Sequence, residues 1–291
     1  MDIDFLQAVD QSRDTALAAG ALVPNRSECV TMDDHGLQFS VCWVAVLSDK
    51  DASKPVMPGG PRDPNFNPFL PPDPLLTVGK AGEHHNVVLN KFPVCDRHLV
   101  VARTTFEEQR LPLDLKDFRA LAGIFSQCGG FGFYNGGAEA GASQRHKHVQ
   151  WTPHAPGNPG LAYLAKGLPQ GLPEHATICH PAFGFRHVFV RTVSGLDVDS
   201  EQSAQSLYQA FQLACRTLHL EPDEQGLLPP CNMLTDDGWM LLVPRRREHA
   251  YEVSVNAPSY GGVLYVRGPD QIDAIRKVGP LAVLAEAAFP E

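Results

Sequence analysis

Near the middle of the chain, HKHVQW at 146–151 combines side chains able to attack phosphorus with side chains able to hold its oxygens. Read as a strand, the run alternates. His146, His148 and Gln150 share one face, while Lys147, Val149 and Trp151 share the other. Successive groups on a face stand about 6.5–7 Å apart, enough to span a phosphate and its neighbours. A neutral imidazole is a competent nucleophile near pH 7, and its attack on phosphorus gives a phosphoramidate that a second acceptor resolves. Gln150 narrows the chemistry, because an amide offers hydrogen bonds but no proton for a leaving group. A group that departs as a stabilised polyphosphate anion fits this. Just upstream, Gly141, Ala142, Ser143 and Gln144 form a turn with bare backbone N–H groups and one hydroxyl, suited to anionic oxygens. Taken alone, His-x-His on a strand is as often a metal site or a surface accident. The glycine-serine loop and the terminal Gln set this one apart.

The elements that must position these residues read as α+β. A helix is expected over 1–20, a strand over 37–47, and then a long Pro-rich loop over 48–75, too dense in Pro, Gly, Asn and Asp for either element. Strands follow at 75–79, 84–90 and 98–103. Asp114 caps a helix that Gly129–Gly130 ends, and 131–135 and 146–151 are strands around the glycine-rich connection. In the second half, 185–193 is a strand, Asp199 or Ser200 opens a helix, and Asp236–Asp237–Gly238 turns a hairpin. Helices begin near 270 and 280. The runs 88–103 and 232–245 both read Asn, strand, turn, strand, Arg, which raises two related halves against chance similarity between hairpins. The expected division is a catalytic region at 1–185 and a second half at 186–291 that completes the site in one compact unit.

Composition bounds the partners. The 291 residues carry 24 basic and 33 acidic side chains, a net charge of −9, which counts against a nucleic-acid surface. The charge is uneven: residues 1–40 carry −5 and 193–240 carry −7, whereas 41–192 carry +3. An anionic ligand is expected in the middle. No stretch of about 18 apolar residues occurs, and the N-terminus is acidic, so a cytoplasmic protein without membrane contact is expected. Seven cysteines, an odd number without a CxxC pair, point to buried free thiols over disulfides or zinc.

The run GASQRHKHVQ (141–150) resembles the HxHxQ motif of the nucleotidyltransferase branch of the histidine-triad superfamily, and more narrowly the diadenosine tetraphosphate phosphorylases, or ATP adenylyltransferases. LNKFPVCDRHLVV (89–101), Phe133–Asn135, PFLPPDPLL (68–76) and CNMLTDDGWMLLVPR (231–245) carry the same resemblance in the same order. It implies an antiparallel histidine-triad-like fold; no covalently bound cofactor is expected, and a divalent cation such as Mg2+ stays open as a companion of the polyphosphate. It also implies a two-step transfer. His148 attacks the α-phosphorus of a diadenosine polyphosphate, expels ATP and holds AMP; phosphate then removes the adenylyl group as ADP. His146 stands beside the nucleophile and Gln150 at the α-phosphate oxygens. Asn135 and Gly141 to Gln144 contact phosphate or ribose, Lys91 supplies charge, and Lys54 fits a family lysine in the loop. Asn232, Met233 and Leu234 line the nucleotide site. Arg245, from the residues themselves, is a candidate clamp on the polyphosphate tail. Two rivals stay open: a hexose-1-phosphate uridylyltransferase of the same branch, and a nucleotide-binding module without turnover. Oligomeric state is not readable.

Overall fold

The structure is a computed structural model that describes residues 4–24, 27–44, 66–155, 158, 160–196, 198–236 and 238–291. Lys54, most of the Pro-rich loop and Asp237 of the expected turn lie outside them. Helix α1 (Phe5–Ala18) starts at Asp4, whose carboxylate accepts from the Leu6 N–H. Strands β1 (Ser27–Asp34) and β2 (Leu37–Val44) pair across a tight turn, and β1 is an element that the sequence reading did not contain. Strands β3 (Thr77–Ala81), β4 (His85–Leu89) and β5 (Leu99–Arg103) follow as expected. Helix α2 (Leu115–Cys128) carries the anticipated capping box: the Asp114 carboxylate accepts from the Lys116 and Asp117 N–H groups, and Asp117 accepts from the Asp114 N–H. After it come β6 (Phe131–Gly136) and β7 (His148–Thr152).

The second half repeats this order. Strands β8 (Thr177–Ile178) and β9 (Val188–Arg191) precede helix α3 (Ser200–Thr217), which leads into β10 (Cys231–Asp236) and β11 (Trp239–Pro244). The strands run β3-β4-β5-β7-β6-β10-β11-β9-β8 in one antiparallel sheet, so β4-β5-α2-β6-β7 and β8-β9-α3-β10-β11 are mirrored in order about the β6–β10 junction. The sequence echo is therefore corrected. Arg97-His98-Leu99-Val100-Val101 corresponds to Arg186-His187-Val188-Phe189-Val190, and the 232–245 hairpin corresponds to β6–β7, not to 88–103. Register confirms the alignment: Val101 faces Val149 in the first half as Val190 faces Met240 in the second.

One face of the sheet is covered by α1, α2 and α3, whose apolar sides meet Leu99, Val101, Val149 and Trp151. The other is covered over its second half by a three-stranded sheet and short C-terminal helices. After β12 (His249–Ala250) and β13 (Val253–Ser254) come α4 (Ala257–Tyr260), β14 (Val263–Val266), α5 (Pro269–Val278) and α6 (Pro280–Ala287). Strand β14 pairs in parallel with β2, joining the two ends of the chain around the core of Phe131, Phe133, Phe189 and Leu241. Over β5 and β7 this cover stops, and Phe69 packs there on Val100 and Ala102. The cysteine expectation is corrected in part. Cys29 and Cys42 face each other across β1 and β2 and form a disulfide, because a strand pairing invisible as a spacing motif puts them opposite. The other five are free thiols, of which only Cys231 is fully buried and Cys179 is exposed.

Behind β7 the sheet buries charge. Lys147 Nζ lies 3.2 Å from Asp117 Oδ2 and donates to the Pro112 carbonyl; His85 Nε2 lies 2.9 Å from Asp117 Oδ1. Arg103 Nε and Nη2 stand 2.9 Å from Asp117 and 2.7 Å from Asp114, charge contacts rather than well-directed hydrogen bonds. Burial by itself raises the Asp117 carboxyl. The His85 hydrogen bond and the Lys147 and Arg103 charges outweigh it and hold the carboxyl well below the usual carboxylate range. A lowered folded-state value contributes stability above the unfolded value near 3.9 and loses it as pH falls below that point. Asp117→Asn is expected to cost about 3–5 kcal/mol at pH 7, because it leaves buried cations uncompensated. It should also flatten the acid limb of stability below about pH 4. Denaturant unfolding of both proteins across pH checks this.

Candidate active site

The site is assembled where β7 lies between β5 and β6. His148 Nδ1 stands 2.7 Å from the His146 carbonyl, to which it donates. The lone pair therefore sits on Nε2, which has no partner among the described residues. Burial pushes the His148 imidazole down to about 4, against the opposing effect of that carbonyl. The ring is thus neutral at physiological pH, with an unprotonated nitrogen available for attack.

His146 meets the His148 ring through its backbone carbonyl. Its ring is occupied elsewhere: Nε2 donates to the Arg103 carbonyl at 2.7 Å and Nδ1 accepts from Asn67 Nδ2 at 2.8 Å. Asn67 is oriented in turn by the Phe69 N–H, which donates to its Oδ1. Phe69 and Phe106 pack against the His146 ring, and Phe69 also lies 5.2 Å from that of His148. The expected alternation holds, with Lys147 buried behind the sheet. Arg145 is exposed and paired with Glu108.

Gln109, which no sequence signal marked, sets the backbone at His148. Strands β6 and β7 pair only as far as Phe133 and Gln150. Beyond that point the Gln109 amide fills the ladder: Oε1 accepts from the His148 N–H at 2.8 Å, and Nε2 donates to the Asn135 and His148 carbonyls at 2.9 and 3.1 Å. The Tyr134 hydroxyl donates to the Gln109 carbonyl and anchors it.

The glycine-rich connection folds beside this point. Gly137 and Gly141 have φ of 112° and 85°, conformations that other residues rarely adopt. A Cβ on Gly141 would also stand 2.9 Å from that of Asn256. The Ser143 and Gln144 N–H groups donate to no described residue, and Ser143 is exposed. Asn135 Oδ1 accepts from Asn232 Nδ2 and from the Ala257 N–H, both at 2.8 Å, which leaves its Nδ2 without a described partner. Asn232 also donates to the Ala140 carbonyl.

Several expected contacts are corrected here. Asn232, Met233 and Leu234 are fully buried; Asn232 reaches the site only through Asn135 and Ala140, while Met233 and Leu234 fill the two cores. Arg245 is 1% exposed, and its guanidinium donates to Asn232 Oδ1 and to the carbonyls of Ala287, Arg247 and Glu248, over the Tyr260 ring. It braces Asn232 instead of clamping a ligand, because its strand places it inside the C-terminal cover. Lys91 is exposed, its ammonium 5.9 Å from the Phe92 ring centroid.

Gln150 Oε1 lies 2.8 Å from His98 Nε2. His98 also lines a cleft of about 440 Å3 bordered by Asn90, Val94, Asn158 and Tyr265. In the second half the positions of His148 and Gln150 are held by Trp239 and Leu241, so the repeat carries one such constellation. Among the described residues no group of three His, Cys, Asp or Glu could hold a metal ion, and no helix is long and apolar enough to cross a membrane. Gln109→Leu leaves the His148 N–H and two carbonyls unpaired. The expected outcome is a stability loss of about 1–3 kcal/mol or more and faster hydrogen exchange at the His148 amide, measured by unfolding and by exchange mass spectrometry.

The family model for the Ap4A phosphorylase N-terminal domain matches residues 2–161, and that for the ATP adenylyltransferase C-terminal domain matches residues 181–290. Diadenosine 5',5'''-P1,P4-tetraphosphate phosphorylase 2 of Saccharomyces cerevisiae is 25% identical over 251 residues, 77% of this chain and 76% of that protein. Protein APA1 of the same yeast is 25% identical over 247 residues, with the same coverage. The crystal structure of yeast Ap4A phosphorylase Apa2 superposes with a TM-score of 0.79 at 20% identity, covering 100% of this chain and 96% of that one. Its complex with Ap4A gives 0.77 at 20% identity, covering 100% and 99%. One family model alone accounts for more than half of the chain and a second for most of the remainder, so the chain belongs to the Ap4A phosphorylase and ATP adenylyltransferase family.

Proposed function

We propose that the protein is a nucleotidyltransferase that cleaves diadenosine tetraphosphate with inorganic phosphate, giving ADP and ATP. The observation that carries this is the buried, neutral His148 with an unpartnered Nε2 beside Gln150 and the glycine loop. In the first step Nε2 attacks the α-phosphorus; the bond from that phosphorus to the bridging oxygen breaks, and ATP leaves with the electron pair. The His146 carbonyl stabilises the positive charge that develops on the ring, since it accepts the hydrogen bond from Nδ1–H throughout. In the second step a phosphate oxygen attacks the adenylyl-histidine, the P–N bond breaks, and ADP leaves with the neutral imidazole restored.

Gln150 Nε2, the Asn135 amide and the Ser143 and Gln144 N–H groups are the donors for the phosphate oxygens. Lys91, exposed beside Asn90, would add positive charge, as would Lys54, which lies outside the described residues. The cleft lined by His98 has room for a nucleoside, and His98 links it to Gln150 by a hydrogen bond of 2.8 Å. A divalent cation such as Mg2+ would enter as a companion of the polyphosphate, and no step here runs through it. A cytoplasmic location follows from this reading, because nucleoside polyphosphates and phosphate meet there. The shared family of the yeast phosphorylase and the match to the ATP adenylyltransferase domain favour this over the uridylyltransferase reading.

The decisive measurement is the product pattern. With phosphate the expected products are ADP and ATP; ATP and AMP formed equally well without phosphate would identify a hydrolase. His148→Ala should abolish trapping of labelled adenylate on the protein, and retention of label would place the nucleophile elsewhere. Since only the unprotonated ring attacks, the first step is expected to be level from about pH 6 to 8. It should fall at acid pH as the His148 imidazole protonates at about 4. Single-turnover rates across pH read this directly.

A further inference from the structure

Which end of the Gln150 amide faces the phosphate decides whether it attracts or repels, because one end donates and the other only accepts. The surrounding hydrogen bonds determine this orientation. The Phe92 N–H, which can only donate, points at Asn90 Oδ1 at 3.1 Å. The Asn90 amide therefore turns its Nδ2 to the edge of the His98 ring, 3.3 Å from Nδ1 and 3.4 Å from Nε2, and the Val94 N–H points at Nδ1 from 3.5 Å. Facing the Val94 N–H, which can only donate, His98 Nδ1 accepts, so the ring proton sits on Nε2. That proton is donated to Gln150 Oε1 at 2.8 Å. The remaining Gln150 Nε2 has no partner among the described residues and is left to donate outward.

We propose that His98 is a positioning residue for adenylyl transfer: through a one-way chain from the Val94 backbone it holds the Gln150 amide with its NH2 toward the α-phosphate. His98 is fully buried and neutral, so its proton stays on one nitrogen as pH varies around 7. The duplicated half contains an internal control. His187 occupies the same place in its strand, but its neighbour across the sheet is Leu241 through the Phe189 pairing, with no amide to orient. There the polarity is reversed: Nδ1 donates to the Phe185 carbonyl at 2.7 Å, and Nε2 accepts from the His180 N–H at 2.7 Å. Two equivalent histidines thus adopt opposite tautomers, and only the one beside a glutamine presents a proton across the sheet.

This rests on the proposed role of Gln150 at the phosphate, and the tests separate the two. Nitrogen-15 spectra of histidine-labelled protein between pH 6 and 8 should show the Nε2–H tautomer for His98 and the Nδ1–H tautomer for His187. An Nδ1–H tautomer at His98 overturns the proposal, whatever the activity. Single-turnover adenylyl transfer from diadenosine tetraphosphate, run without phosphate, then measures coupling. His98→Phe should slow it about 10–100-fold, with substrate affinity changed less than about threefold. His98→Gln, which can donate from its amide, should recover part of the rate. Adding His98→Phe to Gln150→Ala should cost no more than about threefold beyond Gln150→Ala alone, because the second residue acts through the first. Multiplying effects of the two substitutions would overturn the proposal. If wild-type protein transfers no adenylate at all, the functional reading fails, while the tautomer measurement still decides the role of His98.

Discussion

The hydrogen bond from His148 Nδ1 to the His146 carbonyl is the constraint around which the site is built. It assigns the ring proton and the direction of the lone pair, and in the proposed reaction it would supply a partner for the charge that forms on attack. Such a bond requires that the backbone at 146–148 be held against movement. Gln109 holds it from the β6 side, where the strand ladder opens, and the Arg103 carbonyl holds the His146 ring from the β5 side. A strand that paired regularly along its whole length would have met its neighbours through its own N–H and C=O groups. Here a side-chain amide takes their place.

The same device recurs around the site. An asparagine accepts a backbone N–H two residues ahead and turns its own NH2 to a histidine: Asn67 does so for His146 and Asn90 for His98. A peptide N–H cannot reverse its role, so each local turn transmits a definite polarity to a buried ring. Behind the sheet, Asp117 performs a related task with charge. It joins the α2 cap to Lys147, His85 and Arg103, and so locks the helix to the reverse side of the strand that carries His148.

Duplication explains why one half can be chemical and the other structural. The two β-β-α-β-β units share a continuous sheet, and their central helices pack against each other. In the second unit, Trp239 and Leu241 stand at the positions of His148 and Gln150, beneath the cover provided by β14 and the C-terminal helices. Asn232, Arg245 and Ala257 from that half still matter, because they fix Asn135 and the glycine loop from within.

Much of this was legible in the primary structure. The face shared by His148 and Gln150 follows from strand alternation alone, the α2 capping box from Asp114 and Asp117, and the glycine loop from residue types that permit positive φ. These are local properties, set by neighbours in the chain. The roles of Gln109 and His98 were not legible, nor were β1, its disulfide partners, or the inward turn of Arg245. Each depends on which atoms of distant segments lie opposite one another: a loop amide entering a gap between strands, a cysteine meeting another through hairpin register, a guanidinium closed off by helices some forty residues further on. The sequence by itself determined which side chains were capable of the chemistry. Only the tertiary structure decided which nitrogen carries each proton, because a tautomer is chosen by hydrogen-bond partners that the fold brings together.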